Sequence, residues 1–190
     1  LVTGQVFVPH VTNTLSFNEV TWRGSVSYDL NDTSLGYFTV SRGFKSGGFV
    51  LRISNPAPSA PTFDPETVTQ YEVGFKTEFP EIGLRLNAAA FYSDYSDIQV
   101  AANPPGEFNA VTANAAKARI KGAELEFTFV PIPSLFIDGS LGYQDAEYTR
   151  VDPGSNVEVS LADNLIRTPK WSWNLGASYL IDLENLGTVT

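Results

Sequence analysis

Residues 67–79, TVTQYEVGFKTEF, alternate with a period of two. Tyr71, Val73, Phe75, Thr77 and Phe79 share one parity, and Gln70, Glu72, Gly74, Lys76 and Glu78 share the other. Successive side chains of a strand point to opposite faces, so the segment is an extended ribbon with one greasy and one polar side. Ribbons of this kind build either a soluble sandwich, apolar face on a core, or a membrane barrel, apolar face on lipid. The pattern recurs and predicts strands at 19–29, 35–45, 67–79, 83–99, 117–130, 134–148 and 169–181, with an eighth beginning near Gly187. In the second of these, Tyr37, Phe38 and Val40 straddle both faces. A period of 3.6 is nowhere convincing.

Proline supports the boundaries, because it lacks the N–H that a strand interior needs. All twelve prolines stand outside the expected strand interiors. The connections alternate in length: short at 30–34, 80–82, 131–133 and 182–186, long at 46–65, 100–116 and 149–168. In an up-and-down meander this sends the short turns to one rim and the long loops to the other, the layout of outer-membrane barrels.

Three features favour lipid over a core. Most of the expected strands run to about 11–15 residues, against a mode of about 5–6 in soluble sheets and about 9–11 to cross a bilayer. Trp171 and Trp173 open the last full strand and Tyr179 nears its end, with Leu175 and Ala177 between. Those eight steps cover roughly 26 Å along the strand, or about 20 Å of depth when tilted, close to the apolar band between aromatic girdles. Trp171, Trp173, Tyr179, Tyr143 and Phe129 are the expected lipid-facing girdle. Ala88, Ala90, Gly139 and Ala177 fill a sandwich core poorly, whereas lipid chains adapt to them.

Composition narrows the chemistry. With no Cys, neither a disulfide nor a thiolate metal site is available. The lack of Met leads us to expect an internal piece or a processed product. A net charge of −9 argues against nucleic acid as a partner. The chain holds no apolar run near the ~18 residues of a membrane helix. His10 is the sole histidine, and neither GxSxG nor HExxH occurs, so no catalytic residue, cofactor or metal site is expected. GFKSGG (43–48) is not a phosphate loop, since Gly-Lys-Ser is not contiguous and no helix follows.

Five segments in order carry a resemblance: SRGFKSGGF (41–49), FDPETVTQYEVGFKTEF (63–79), LNAAAFYSDYSDIQV (86–100), AKARIKGAELEF (116–127) and TPKWSWNLGASY (168–179). Together they resemble the barrel of TonB-dependent receptors, over about residues 20–181. The resemblance implies an all-β, antiparallel up-and-down meander: about seven or eight strands, from the C-terminal part of the barrel, of a transmembrane barrel of about 22. It also implies an N-terminal plug domain not present in these 190 residues, so that residues 1–190 are a barrel fragment. Such receptors sit in the outer membrane of Gram-negative bacteria. They bind a scarce nutrient such as a ferric siderophore, cobalamin or a glycan, and import it with energy passed from TonB through the plug.

Glu72, Lys76, Glu78, Arg85, Glu124, Glu126 and Asp138 fall on the polar parity. They read as a wet lumen wall with charges paired across strands, as contacts to the plug, or both. Lys117, Arg119 and Lys121 share the apolar parity at the loop end of their strand. They read either as a grip on lipopolysaccharide phosphates or as a solvated basic patch. Asp94, Asp97, Asp145, Glu147, Asp152, Glu158 and Asp163 are expected in long loops, without calcium-loop spacing. Phe49, Arg52, Phe63, Phe108 and Asn109 are candidate ligand contacts, unmarked over their neighbours. Two other readings stay open: a small self-contained outer-membrane barrel with a structural or adhesive role, and a secreted carbohydrate-binding β-domain.

Overall fold

The computed structural model describes residues 13–50, 60–103, 110–152, 157, 159–182 and 188–189. Its strands are β1 (Trp22–Asn31), β2 (Ser34–Lys45), β3 (Gly48–Phe49), β4 (Thr62–Phe63), β5 (Glu66–Phe79), β6 (Leu84–Ala102), β7 (Val111–Ile132), β8 (Leu135–Val151), β9 (Trp171–Tyr179), β10 (Ile181–Asp182) and β11 (Thr188–Val189). Seven long strands pair antiparallel in one sheet, in the order β1-β2-β5-β6-β7-β8-β9. That is the expected meander. Two small hairpins, β3–β4 and β10–β11, accompany it. The eighth strand expected near Gly187 is represented by β11, which folds back on β10.

The turn end is compact. Asp32 and Thr33 link β1 to β2, and Asn31 Oδ1 accepts from the backbone N–H and the hydroxyl of Thr33. After β5 the chain makes one 3-10 turn, Pro80–Ile82, closed by Gly83. Gly83 sits at φ 67°, a left-handed conformation that glycine adopts without strain. Pro131 lies next to the last residue of β7, where the register shifts, so its missing N–H breaks no regular ladder.

At the loop end the expectation needs correcting. Residues 100–116 were expected as a long connection, yet β6 runs to Ala102 and β7 starts at Val111, so only residues 103–110 connect them. Ala113, Ala115 and Ala116 carry little strand propensity and show no apolar alternation, so local pattern misses them. Pairing with β6 makes them strand: Val100 faces Ala113 and Ile98 faces Ala116. Asp94, Asp97, Asp145 and Glu147, which fall inside the expected strands 83–99 and 134–148 but were also grouped with the loop carboxylates, are strand residues. Glu158, Arg52, Phe108, Asn109 and His10 lie outside the described residues.

Register locks the parities together across all seven strands. One row reads Gly36, Phe75, Ala88, Leu125, Leu141, Trp173; the next reads Phe38, Val73, Ala90, Ala123, Tyr143, Trp171. The opposite face reads Lys76, Asn87, Glu126, Ser140, Asn174. Tyr37 goes to that polar face while Phe38 and Val40 stay on the apolar one, which resolves the straddling in the second strand. Among the described residues the sheet has no second layer over its apolar face. Trp173 is 76% exposed, Leu175 66% and Val73 57%.

Candidate functional site

The apolar face is banded. At the loop end Tyr71 faces Tyr92 with ring centroids 6.4 Å apart, and Tyr143 faces Trp171 at 4.8 Å. Phe79, Leu84, Phe129 and Ile137 form a row at the turn end, with Tyr179 opposite Leu135 one row away. Thus Trp171, Trp173, Tyr179, Tyr143 and Phe129 share a single face. Between the bands, Ala88, Ala90 and Ala123 leave a shallow apolar groove of about 620 Å³, bordered by Phe75, Leu125, Leu141 and Trp171.

Charge begins immediately beyond the upper band, on the same face. Lys121 lies opposite both Tyr92 and Asp145, and Arg119 opposite Asp94 and Glu147. Lys121 Nζ is 3.2 Å from Asp145 Oδ2, and Arg119 Nη1 is 3.5 Å from Glu147 Oε1. Arg119 Nε also donates to the Tyr92 hydroxyl at 2.8 Å, with its guanidinium 5.6 Å from the ring centroid. Lys117 faces Arg150 and has no carboxylate partner among the described residues. Sequence reading placed these three cations on the correct face. It missed their partners because only the β7–β8 register brings Asp145 and Glu147 alongside.

On the polar face the seven expected residues Glu72, Lys76, Glu78, Arg85, Glu124, Glu126 and Asp138 all point the same way. Glu72 is held at both oxygens. The Tyr37 hydroxyl donates to Oε1 at 2.9 Å and the Gln70 amide to Oε2 at 3.1 Å. Gly74 makes this possible: a Cβ there would strike the Tyr37 ring, so the ring lies over the bare backbone and reaches across to Glu72. Phe91 covers Gly122 in the same manner one strand pair away. The Lys76 ammonium sits 5.8 Å from the Tyr37 ring centroid. Arg85 Nε donates to Glu78 Oε1 at 2.8 Å.

Glu124, Glu126 and Asp138 have no cationic partner among the described residues. Among these seven residues five carboxylates stand against two cations, and on the same face Arg23 is matched in number by Asp29 and Lys45 by Glu66, so the wall stays negative. Tyr37, Glu72, Lys76, Asn87, Phe91, Glu124 and Glu126 line a depression of about 160 Å³ in it. A second, polar hollow of about 810 Å³ lies toward the turns, among Asp29, Asp32, Lys76, Glu78 and Arg85. Tyr37 and Gln70 were not singled out from sequence. The signal for Tyr37 was its parity, opposite to that of Phe38 and Val40. Of the candidate ligand contacts, Phe49 and Phe63 are described and belong to the β3–β4 hairpin at the loop end. Among the described residues no group of three or more acidic, His or Cys side chains is arranged to hold a metal.

Known proteins share this organisation. The family described as TonB dependent receptor-like, beta-barrel matches residues 2–189. The ferrichrome outer membrane transporter/phage receptor of Escherichia coli K12 is 33% identical over 131 residues, 69% of this chain and 16% of that protein. The pesticin receptor of Yersinia enterocolitica is 31% identical over 119 residues, 62% of this chain and 17% of that protein. The chain therefore spans about one sixth of these curated relatives. In fold it is similar to the crystal structure of the ferric yersiniabactin uptake receptor of Yersinia pestis, with a TM-score of 0.67 and 24% identity, over 85% of this chain and 23% of that one. It is also similar to the ferric-catecholate import receptor of Escherichia coli K12, with a TM-score of 0.61 and 20% identity, over 84% and 22%. With the alternation, the aromatic bands and the meander already in place, the match over nearly the whole length gives the conclusion: the chain belongs to the TonB dependent receptor-like β-barrel family, proteins of the Gram-negative outer membrane.

Proposed function

We propose that the chain is a sector of the barrel wall of an active transporter that binds a scarce nutrient outside the cell, a ferric siderophore or a ligand of similar size, and imports it. The observation that carries this reading is the division of labour between the faces. One face is banded for lipid, and the other is a negative, hydrogen-bonded wall able to face a wet, plugged interior. A relative named for ferrichrome transport and a solved receptor of the same fold named for ferric yersiniabactin uptake support the ligand class.

On this reading residues 1–190 are part of a longer barrel, and a plug domain belongs to the remainder of the protein. Glu124, Glu126 and Asp138 then take cationic side chains of the plug, while Glu72 is pre-positioned by Tyr37 and Gln70 for the same contact. TonB acts through the plug rather than through this wall. The long connections lie on the extracellular side. Lys117, Arg119 and Lys121 face lipopolysaccharide just above the upper aromatic band. Asp145 and Glu147 moderate their charge, so Lys117 is the strongest phosphate ligand of the three.

Uptake of radioiron by cells carrying the full-length receptor tests the transport reading. Iron is supplied as hydroxamate, catecholate and mixed-ligand chelates, with and without a proton uncoupler. Uncoupler-sensitive uptake of at least one chelate, lost on deletion of the receptor, is the expected result. A correctly assembled receptor that imports none of them overturns the assignment to ferric siderophores.

A further inference from the structure

The best-packed part of the described chain lies outside the aromatic bands, at the loop end of β6, β7 and β8. Ala102 and Ala118 are fully buried, and Ala115, Ala116, Val100 and Tyr148 nearly so. Val157, Val159 and Leu165 of the β8–β9 connection pack against this cluster, together with Tyr95, Ile98 and Val151. Backbone contacts fix the same connection: Ala102 bridges to Val157, Glu147 bridges to Asn164, and the Asp152 N–H donates to Ala115 O at 2.9 Å. Burial, and then the Asp163 carboxylate, push the Tyr148 phenol above its ordinary pKa, a sign that the connection lies close over that ring.

The preceding long connection is tied to the same two strands by polar bonds. Asn114 on β7 donates to Asp64 O at 2.8 Å and accepts from Asp64 N at 2.7 Å, and it also donates to Asp97 O at 2.8 Å. Gln99 on β6 donates its amide to Ser46 O at 2.9 Å and to Asp64 O at 3.1 Å, while its backbone N–H donates to Glu66 Oε2 at 2.9 Å. Ser46 and Asp64 flank the β3–β4 hairpin, so its base is clamped. The register shifts between Ile98 and Gln99, which leaves Ala115 as the extra residue between Asn114 and Ala116 on β7. Such a bulge lets consecutive residues serve different neighbours: Asn114 meets one connection and Ala115 the other.

We infer that the β6–β7 extension is a fixed post to which the described parts of both flanking connections, the base of the β3–β4 hairpin and residues 157 and 159–165, are permanently docked, so that this sector of the ligand entrance is a preformed wall rather than a moving lid. The word ligand rests on the proposed transport function; the docking does not. A preformed surface avoids the ordering cost that a loop closing on its ligand must meet.

Hydrogen exchange of the full-length receptor in nanodiscs, with no ligand added, tests the docking by itself. The expected result is that amides at 99–102, 111–118 and 159–165 exchange about as slowly as those of the membrane-spanning strands. Tyr148→Ser should lower protection at 159–165 by at least about tenfold, and Asn114→Ala should do the same at 62–66, each leaving the membrane-spanning amides unchanged. If Tyr148→Ser prevents assembly, Ala102→Cys with Val157→Cys decides. Residues 1–190 hold no cysteine of their own, any elsewhere in the receptor is replaced by serine first, and bridged antiparallel partners lie within disulfide reach. Full oxidation with an unchanged exchange pattern supports the post. Exchange at 159–165 within seconds in the wild type, or failure of the pair to oxidise in an assembled receptor, overturns it.

Discussion

Between Leu84 and Tyr92, β6 turns Leu86, Ala88 and Ala90 to one side and Arg85, Asn87 and Ala89 to the other, and among the described residues no second layer covers either. Between Tyr95 and Ala102 the same strand lies beneath Val157 and beside Ala115 and Ala116, and Ala102 is fully buried. The first stretch is a one-layer wall whose two solvents are supplied from outside, lipid and lumen. The second builds a small dry core from its own connections. One unbroken strand therefore obeys two packing rules, and the change falls where the aromatic band gives way to Arg119, Lys121, Asp145 and Glu147. The difference teaches that small residues have opposite meanings in the two stretches. At Ala88, Ala90 and Ala123 they leave a groove for lipid to fill; at Ala115, Ala116 and Ala118 they let a connection pack close.

The largest test breaks the wall in its lipid-facing half. Leu125→Arg, midway between the bands, should cost about 2–4 kcal/mol, the range for Arg at the bilayer midplane. The loss should show as reduced heat-resistant, assembled receptor. Ser140→Arg, at the same depth on the polar face, should assemble normally. Equal loss from both would remove the assignment of the faces. Next comes Tyr148→Ala in the upper core. It should cost about 2 kcal/mol in local stability, less than the ~3–5 kcal/mol of a deeply buried aromatic, because one side lies near water. Protease nicking near residues 159–165 is the readout, with the membrane-spanning portion intact.

A smaller structural effect with a larger functional one is expected at the negative wall. Glu124→Gln should leave assembly unchanged, because no cation within the described sheet depends on that charge, and should lower radioiron uptake several-fold. Unchanged uptake would argue that the wall is merely wet. The smallest effect is at the boundary. Asp145→Asn should change stability by under about 1 kcal/mol, as for exposed ion pairs. By freeing Lys121 it should raise co-purified lipopolysaccharide, whereas replacing Lys117, Arg119 and Lys121 together with Gln should lower it. Lipid content that ignores both variants would remove the proposed contact.

Parity was legible in advance in the clean strands. Tyr71, Val73 and Phe75 opposite Glu72 and Lys76 required only that a strand alternate its side chains, whereas Tyr37, Phe38 and Val40 were sorted to their faces only by pairing with β5. The ion pairs of Lys121 and Arg119 were not legible. Asp145 and Glu147 sit more than twenty positions away and become neighbours only through the β7–β8 register. The alanine-rich segment at 113–116 read as loop because its residues announce neither strand nor turn.

The sequence by itself determined, in all but the second strand, which side chains share the apolar face and which the polar one, since that follows from a local, two-residue geometry. Only the tertiary structure decided which charges neutralise each other and which connections are tied down. Those contacts depend on how far each strand slides against its neighbour, a relation between distant segments that no single stretch of chain contains.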